Sequence, residues 1–101
     1  VDTQLTHPDD IEEELENWVE EHSNIENLSD VAKSHYHFEM IHPFSDGNGR
    51  IGRLIILAQC LKISIKPPTI NNNNKALYYI LLEHAKVNPS ALAYFFRACS
   101  K

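Results

Sequence analysis

Cysteine, glycine and basic side chains are all scarce in this chain. Its 101 residues hold 2 cysteines and 3 glycines, and 9 lysines and arginines against 14 aspartates and glutamates. Cys60 and Cys99 lie far apart in apolar surroundings, so no disulfide framework is expected and both read as small buried residues of a reducing compartment. A formal net charge of -5, with acidic side chains crowded into residues 9–30, argues against a dedicated nucleic-acid binder, which needs a basic face. The longest nearly apolar run, Leu54–Leu61, falls well short of the ~20 residues that cross a bilayer, and no secretory leader opens the chain. We therefore expect no membrane partner and a cytoplasmic protein, although delivery into a host cell would leave no mark on such a sequence. Val1 in place of an initiator methionine suggests a piece of a longer chain.

What is present suits one small globular domain over residues 1–101. Hydrophobic residues make up 43% and charged residues 23%, unlike a disordered chain. In residues 7–22, Pro8 and Asp9, Asp10 and Glu12 suit a helix start, and Ile11, Leu15, Trp18 and Val19 recur at helical spacing. A second helix is expected over about 29–40, capped by Asn27 or Ser29, with Val31, Ala32, His35, Tyr36 and Glu39 on one stripe. Residues 50–61 are apolar on most sides and read as a central buried helix. Pro67-Pro68 ends a short extended piece, Asn71–Asn74 offers caps for a fourth helix, and Pro89 starts a fifth. The expected fold is all-α, with about five helices.

Between the second and third helices runs His42-Pro43-Phe44-Ser45-Asp46-Gly47-Asn48-Gly49, a loop by its Asp-Gly and Asn-Gly pairs. Gly47, Asn48 and Gly49 lead straight into a helix, whose free N–H groups and dipole make an anion site. Arg50 and Arg53 fall on one side of its first turn, and guanidinium forks suit phosphate oxygens. Asp46 offers the hard oxygen that Mg²⁺ takes beside phosphates. An imidazole such as His42 titrates near neutral pH and suits proton abstraction. Together these are the parts of a phosphoryl or nucleotidyl transfer site. The run Gly47-x-Gly49-x-x-Gly52 formally fits a dinucleotide fingerprint. A helical pattern precedes it, however, and no acidic residue occurs between Asp46 and Glu83, so the Rossmann reading fails. No Gly-Lys-Ser/Thr follows the glycines, so a Walker A loop is absent too.

The stretch from His42 to Arg53 resembles the signature of the Fic family, His-x-Phe-x-Asp/Glu-Gly-Asn-Gly-Arg-x-x-Arg, with every fixed position filled. The likeness covers roughly residues 8–100 and is strongest over 28–66. It implies a small helical bundle that transfers AMP from Mg²⁺-ATP to a Ser, Thr or Tyr hydroxyl of a target protein. By resemblance, His42 is the general base, Asp46 holds Mg²⁺, and Gly47, Asn48 and Gly49 form the anion cradle. Asn48 would also reach the α-phosphate, Arg50 and Arg53 the β- and γ-phosphates. Phe44 would turn inward and anchor the loop, as a large aromatic in a polar loop needs a dry place.

Taken singly, these residues have plainer readings: His42 a loop histidine, Asp46 a turn former, Arg50 and Arg53 surface charges. His35, Glu39 and His42 have a spacing a metal site can use, yet Pro43 lifts His42 off the helix, and a supporting role for His35 and Glu39 is preferred. His37 points to another face. Trp18, Tyr78, Tyr79, Tyr94, Phe95 and Phe96 read as core rather than as a base-stacking platform. Two family features are missing. No Ser or Thr has a Glu four residues on, so the inhibitory Ser/Thr-x-x-x-Glu helix of many relatives is not found, and either regulation comes from a segment or partner outside this chain or it is absent. Only residues 1–6 are placed to be a remnant of the β-hairpin flap that aligns the target. Two alternatives remain beside AMP transfer: a Fic-type phosphotransferase using another phosphorus or donor, and a non-catalytic nucleotide-binding or oligomerisation module.

Overall fold

Polar caps and prolines set the boundaries of the helices in the computed structural model, which describes residues 5–100. Pro8–Asp10 form a single 3-10 turn, capped by His7, whose side chain accepts from the Asp9 N–H. The turn feeds α1 (Ile11–Glu21). Asn27 caps α2 (Leu28–Ile41) by accepting from the Asp30 N–H. The loop leads into α3 (Asn48–Lys62), which begins two residues before the expected start, inside the glycine run. Next come α4 (Lys75–His84) and α5 (Pro89–Ala98), the latter with Pro89 in its first turn, where proline's missing N–H costs nothing. No strand occurs among the described residues, so the fold is all-α as expected.

The core is built around α2, which buries Leu28, Val31, Ala32, Ser34, His35, Phe38 and Ile41 and packs on α5, α3 and α1. Facing it are Ile56 and Cys60 of α3, Tyr78 and Leu82 of α4, and Leu92, Phe95 and Phe96 of α5. Each large apolar side chain removed from water there is worth about 1.5–3 kcal/mol. Both cysteines are free, as expected. The asparagine run folds on itself rather than capping α4. Asn74 Oδ1 accepts from the Asn71 N–H at 2.8 Å, and its Nδ2 donates to the Thr69 carbonyl at 2.9 Å.

Burial of α3 is narrower than its composition suggests. Its buried residues, Asn48, Gly52, Ile56 and Cys60, form one stripe at helical spacing, while Leu54 and Leu61 are 62% and 61% exposed. The most deeply buried helix is thus α2 rather than α3. Val19, Tyr79 and Tyr94, expected in the core, are exposed as well. A chain this short has too little interior to cover every apolar stripe it carries. Trp18 is half-buried and finds its place through its polar edge, with Nε1 donating to the Ser34 carbonyl at 2.9 Å and the ring tilted on Phe38.

Candidate active site

The loop between α2 and α3 is shaped by two residues in the left-handed region. His42 ends α2 at φ 50°, and its N–H still bonds to the Phe38 carbonyl at 3.2 Å. Gly47 starts α3 at φ 83°, a conformation only glycine adopts cheaply. Asn48 lies between them in space and is buried. Its Oδ1 accepts the Phe44 N–H at 2.9 Å and its Nδ2 donates to the Phe44 carbonyl at 2.7 Å. This reciprocal pair fixes which way the amide faces. The same Nδ2 is 3.2 Å from His42 Nε2, which must therefore accept. With its proton on Nδ1, His42 has its Nε2 lone pair taken up by the Asn48 amide, which holds the ring in place. The imidazole itself is exposed to solvent.

Beyond Gly47 no side chain caps α3, so the N–H groups of its first turn are free to face an anion. The exposed Asp46 carboxylate closes the near side, with Oδ1 accepting the Gly47 N–H at 2.9 Å. A Cβ added at Gly47 would stand 3.4 Å from the Arg50 guanidinium, and one at Gly49 3.1 Å from Arg53 Nη1. Both arginines therefore fold back over the glycine backbone. The donor set fits Mg²⁺ carried by a polyphosphate: one hard carboxylate oxygen beside a cradle for phosphate oxygens.

Two expectations are modified here. The Phe44 ring, expected to face inward, is 46% exposed. The loop is anchored by the Phe44 backbone through Asn48, which supplies the tie that the ring was expected to make. The Asn48 side chain, expected on the α-phosphate, is spent on Phe44 and His42. His35, Glu39 and His42 do not converge. His35 and Glu39 lie under Gly52, whose missing side chain leaves room for both the Glu39 carboxylate and the His35 ring.

Beneath Arg53 is a polar cluster that the sequence only hinted at. Buried His35 Nε2 pairs with the Tyr78 hydroxyl at 2.6 Å. Burial, reinforced by the Arg53 charge, lowers the His35 pKa to about 3, which keeps the ring neutral. Burial raises Glu39 to about 7 against the opposing pull of Arg53, and Glu39 Oε2 has no hydrogen-bond partner. Burial also pushes the Tyr78 hydroxyl up. The second arginine of the loop therefore rests on a floor whose charge depends on one glutamate. Beside it, Arg53, Ile56, Leu57, Pro67, Pro68 and Ile70 line a cavity of about 250 Å³. Of the expected flap remnant, residues 1–4 lie outside the described residues, and the Thr6 N–H bonds to the Met40 carbonyl at 2.9 Å, beside the start of the loop.

An uncapped helix start flanked by an imidazole, a carboxylate and two guanidiniums thus stands on an all-α bundle. The sequence matches the model of the Fic/DOC family over residues 1–60, and the chain belongs to that family. It is similar to the protein adenylyltransferase Fic of Drosophila virilis, at 33% identity over 73 residues, 70% of this chain and 15% of that protein. The corresponding protein of Nematostella vectensis is 40% identical over 55 residues, 54% of this chain and 13% of its own length. That of Aedes aegypti is 39% identical over 55 residues, 54% of this chain and 11% of its own. The chain therefore spans only a small part of these relatives. No helix among the described residues is long and apolar enough to cross a membrane.

Proposed function

We propose that this chain is the catalytic core of a protein adenylyltransferase, which moves AMP from ATP to a Ser, Thr or Tyr hydroxyl of a target protein. The observation that carries the reading is the His42 imidazole, held by Asn48 at the mouth of an uncapped, arginine-flanked helix start. Membership of the Fic/DOC family and likeness to proteins named adenylyltransferases support it.

In this reading the His42 ring turns from the Asn48 amide as the target docks, and its freed Nε2 takes the proton of the target hydroxyl. The freed oxygen bonds to the α-phosphorus as the bond from that phosphorus to the bridging oxygen breaks, and pyrophosphate leaves with the electron pair. The α3 N–H groups, Gly47 and Gly49 hold phosphate oxygens, and Arg50 and Arg53 bind the β- and γ-phosphates, so the leaving charge meets fixed donors. Asp46 would hold Mg²⁺, which when bound neutralises charge on the polyphosphate. Asn48 acts through His42 and the loop rather than on phosphate. The domain is residues 1–101, and target alignment and inhibition come from segments or partners beyond it.

The test is incubation with Mg²⁺ and ATP labelled at the α- or the γ-phosphate, with His42→Ala as control. Label on protein from the α-position only, lost in the variant, is expected. Label from the γ-position only would make the chain a kinase. Equal α-labelling by His42→Ala would remove His42 from the chemistry.

A further inference from the structure

Away from the loop, where α1 lies against α2, two imidazoles meet nitrogen to nitrogen. His22 Nε2 is 3.0 Å from His37 Nδ1. Glu21 brings its carboxylate to both, with Oε2 3.8 Å from His22 Nε2 and Oε1 3.7 Å from His37 Nδ1. On the far side of the His37 ring, Nε2 is 3.3 Å from Glu14 Oε1. The two imidazoles are largely covered, 11% and 23% exposed, whereas Glu21 at 64% stands on the open side. A cavity of about 400 Å³ lined by Glu14, Asn17, Glu20, Glu21 and His37 opens onto the group. Glu21, His22 and His37 are the described residues that bring three metal-ligating side chains within 4.8 Å of one another.

Tetrahedral zinc with bonds of ~2.0–2.1 Å to nitrogen sets neighbouring ligand atoms about 3.3 Å apart. The two imidazole nitrogens, 3.0 Å apart, are close to that edge length, and Glu21 turns one oxygen toward each, Oε2 3.8 Å from His22 and Oε1 3.7 Å from His37. A proton donated from His37 Nε2 to Glu14 leaves the Nδ1 lone pair facing His22, and a carboxylate on the outer nitrogen is the usual support of a metal-bound imidazole. His22 Nε2 faces the same lone pair at 3.0 Å, and with its proton moved to Nδ1 it offers a cation a second imidazole nitrogen. Two imidazole nitrogens select a zinc-class ion over Mg²⁺, which prefers oxygen. Lys33 and Lys86 line the adjoining cavity, but the groups aimed at the ligand atoms are carboxylates.

We propose that Glu21, His22 and His37 form a binding site for a zinc-class divalent cation, with Glu14 orienting His37 and water completing the tetrahedron. The site is separate from the loop chemistry and joins two helices. It would tie the end of α1, a helix with no fully buried residue, to the centre of the bundle.

The test titrates the whole chain with Zn²⁺, and with Co²⁺ as a visible reporter of tetrahedral coordination. One equivalent is expected to bind and to give the tetrahedral Co²⁺ spectrum. The melting midpoint should rise by about 10 °C at a hundredfold excess over Kd. His37→Gln and His22→Gln should abolish the spectrum, and Glu14→Gln should weaken binding by about 10–100-fold. His42→Ala, which removes an exposed imidazole of the loop away from these residues, should leave Zn²⁺ uptake unchanged. Circular dichroism checks that each variant is folded. Should a histidine variant fail that check, Glu21→Gln at the exposed corner takes its place and must lower affinity. Absence of uptake by the parent chain, uptake unchanged by these substitutions, or uptake lost in His42→Ala alone would each overturn the site.

Discussion

Asn48 engages three groups with one amide, and its consequences are felt at single atoms. Replacing it by alanine strands the Phe44 N–H and carbonyl and releases His42 Nε2. We expect Asn48→Ala to lose about 1–3 kcal/mol in urea unfolding, the usual cost of orphaned partly buried polar groups. Under the proposed function, AMP transfer should fall by about a hundredfold through misplacement of the base, with KM for ATP changed less than kcat. A variant with wild-type kcat would show that the amide positions nothing. The sequence made this residue conspicuous but not its partners. Spacing placed Asn48 at a helix start, yet whether the amide faces ligand or loop depends on the backbone path of Phe44, which composition does not encode. The same path leaves the Phe44 ring half outside.

At the scale of elements, the crossing of α2 and α3 depends on Gly52. A side chain there would run into the Glu39 carboxylate and stand 3.1 Å from the His35 ring. Glu39 is able to swing away, but His35 is held by Tyr78, so the crossing must open. Overpacking of about 1–3 kcal/mol outweighs the ~1 kcal/mol that alanine gains over glycine within a helix. Gly52→Ala should therefore destabilise by up to about 2 kcal/mol in urea melts, and in a Glu39→Ala background the loss should shrink or reverse. A stabilised single variant would refute the close approach. Helix positions were legible because capping residues and prolines act locally: Asn27, Pro89 and the glycine run each mark an observed boundary. Which stripes become buried was less so, because Leu54, Leu61 and Val19 satisfy helical periodicity without any neighbour to pack on. The His22–His37 pair was also hidden, since it joins residues from two helices.

For the whole molecule, the floor under Arg53 gives opposed pH dependences. His35 is lowered from its ordinary 6.5 to about 3, so its contribution to folding is present above pH 6.5 and is lost as pH falls toward 3. Glu39 is raised from 4.5 to about 7, so its contribution is present below pH 4.5 and is lost as pH rises through 7. Between those ordinary values the two slopes oppose each other and stability should change little. Glu39→Gln removes one slope. Its stability should climb steadily from pH 4 to 7 and exceed the parent at pH 8 by about 1–2 kcal/mol, after allowance for solvent screening. Denaturant midpoints measured across that range give the curves, and parallel profiles for variant and parent would remove Glu39 from the account.

His42 sits at a φ of 50°, where an L-residue with a side chain is strained by about 1–2 kcal/mol and glycine is not. Folding alone thus gives the chain no reason to keep an imidazole there. A copy that drifted to glycine at this position would fold at least as well while losing the group that the proposed chemistry needs. Silent descendants of this domain should therefore be durable proteins, held to activity only by selection on what the imidazole does.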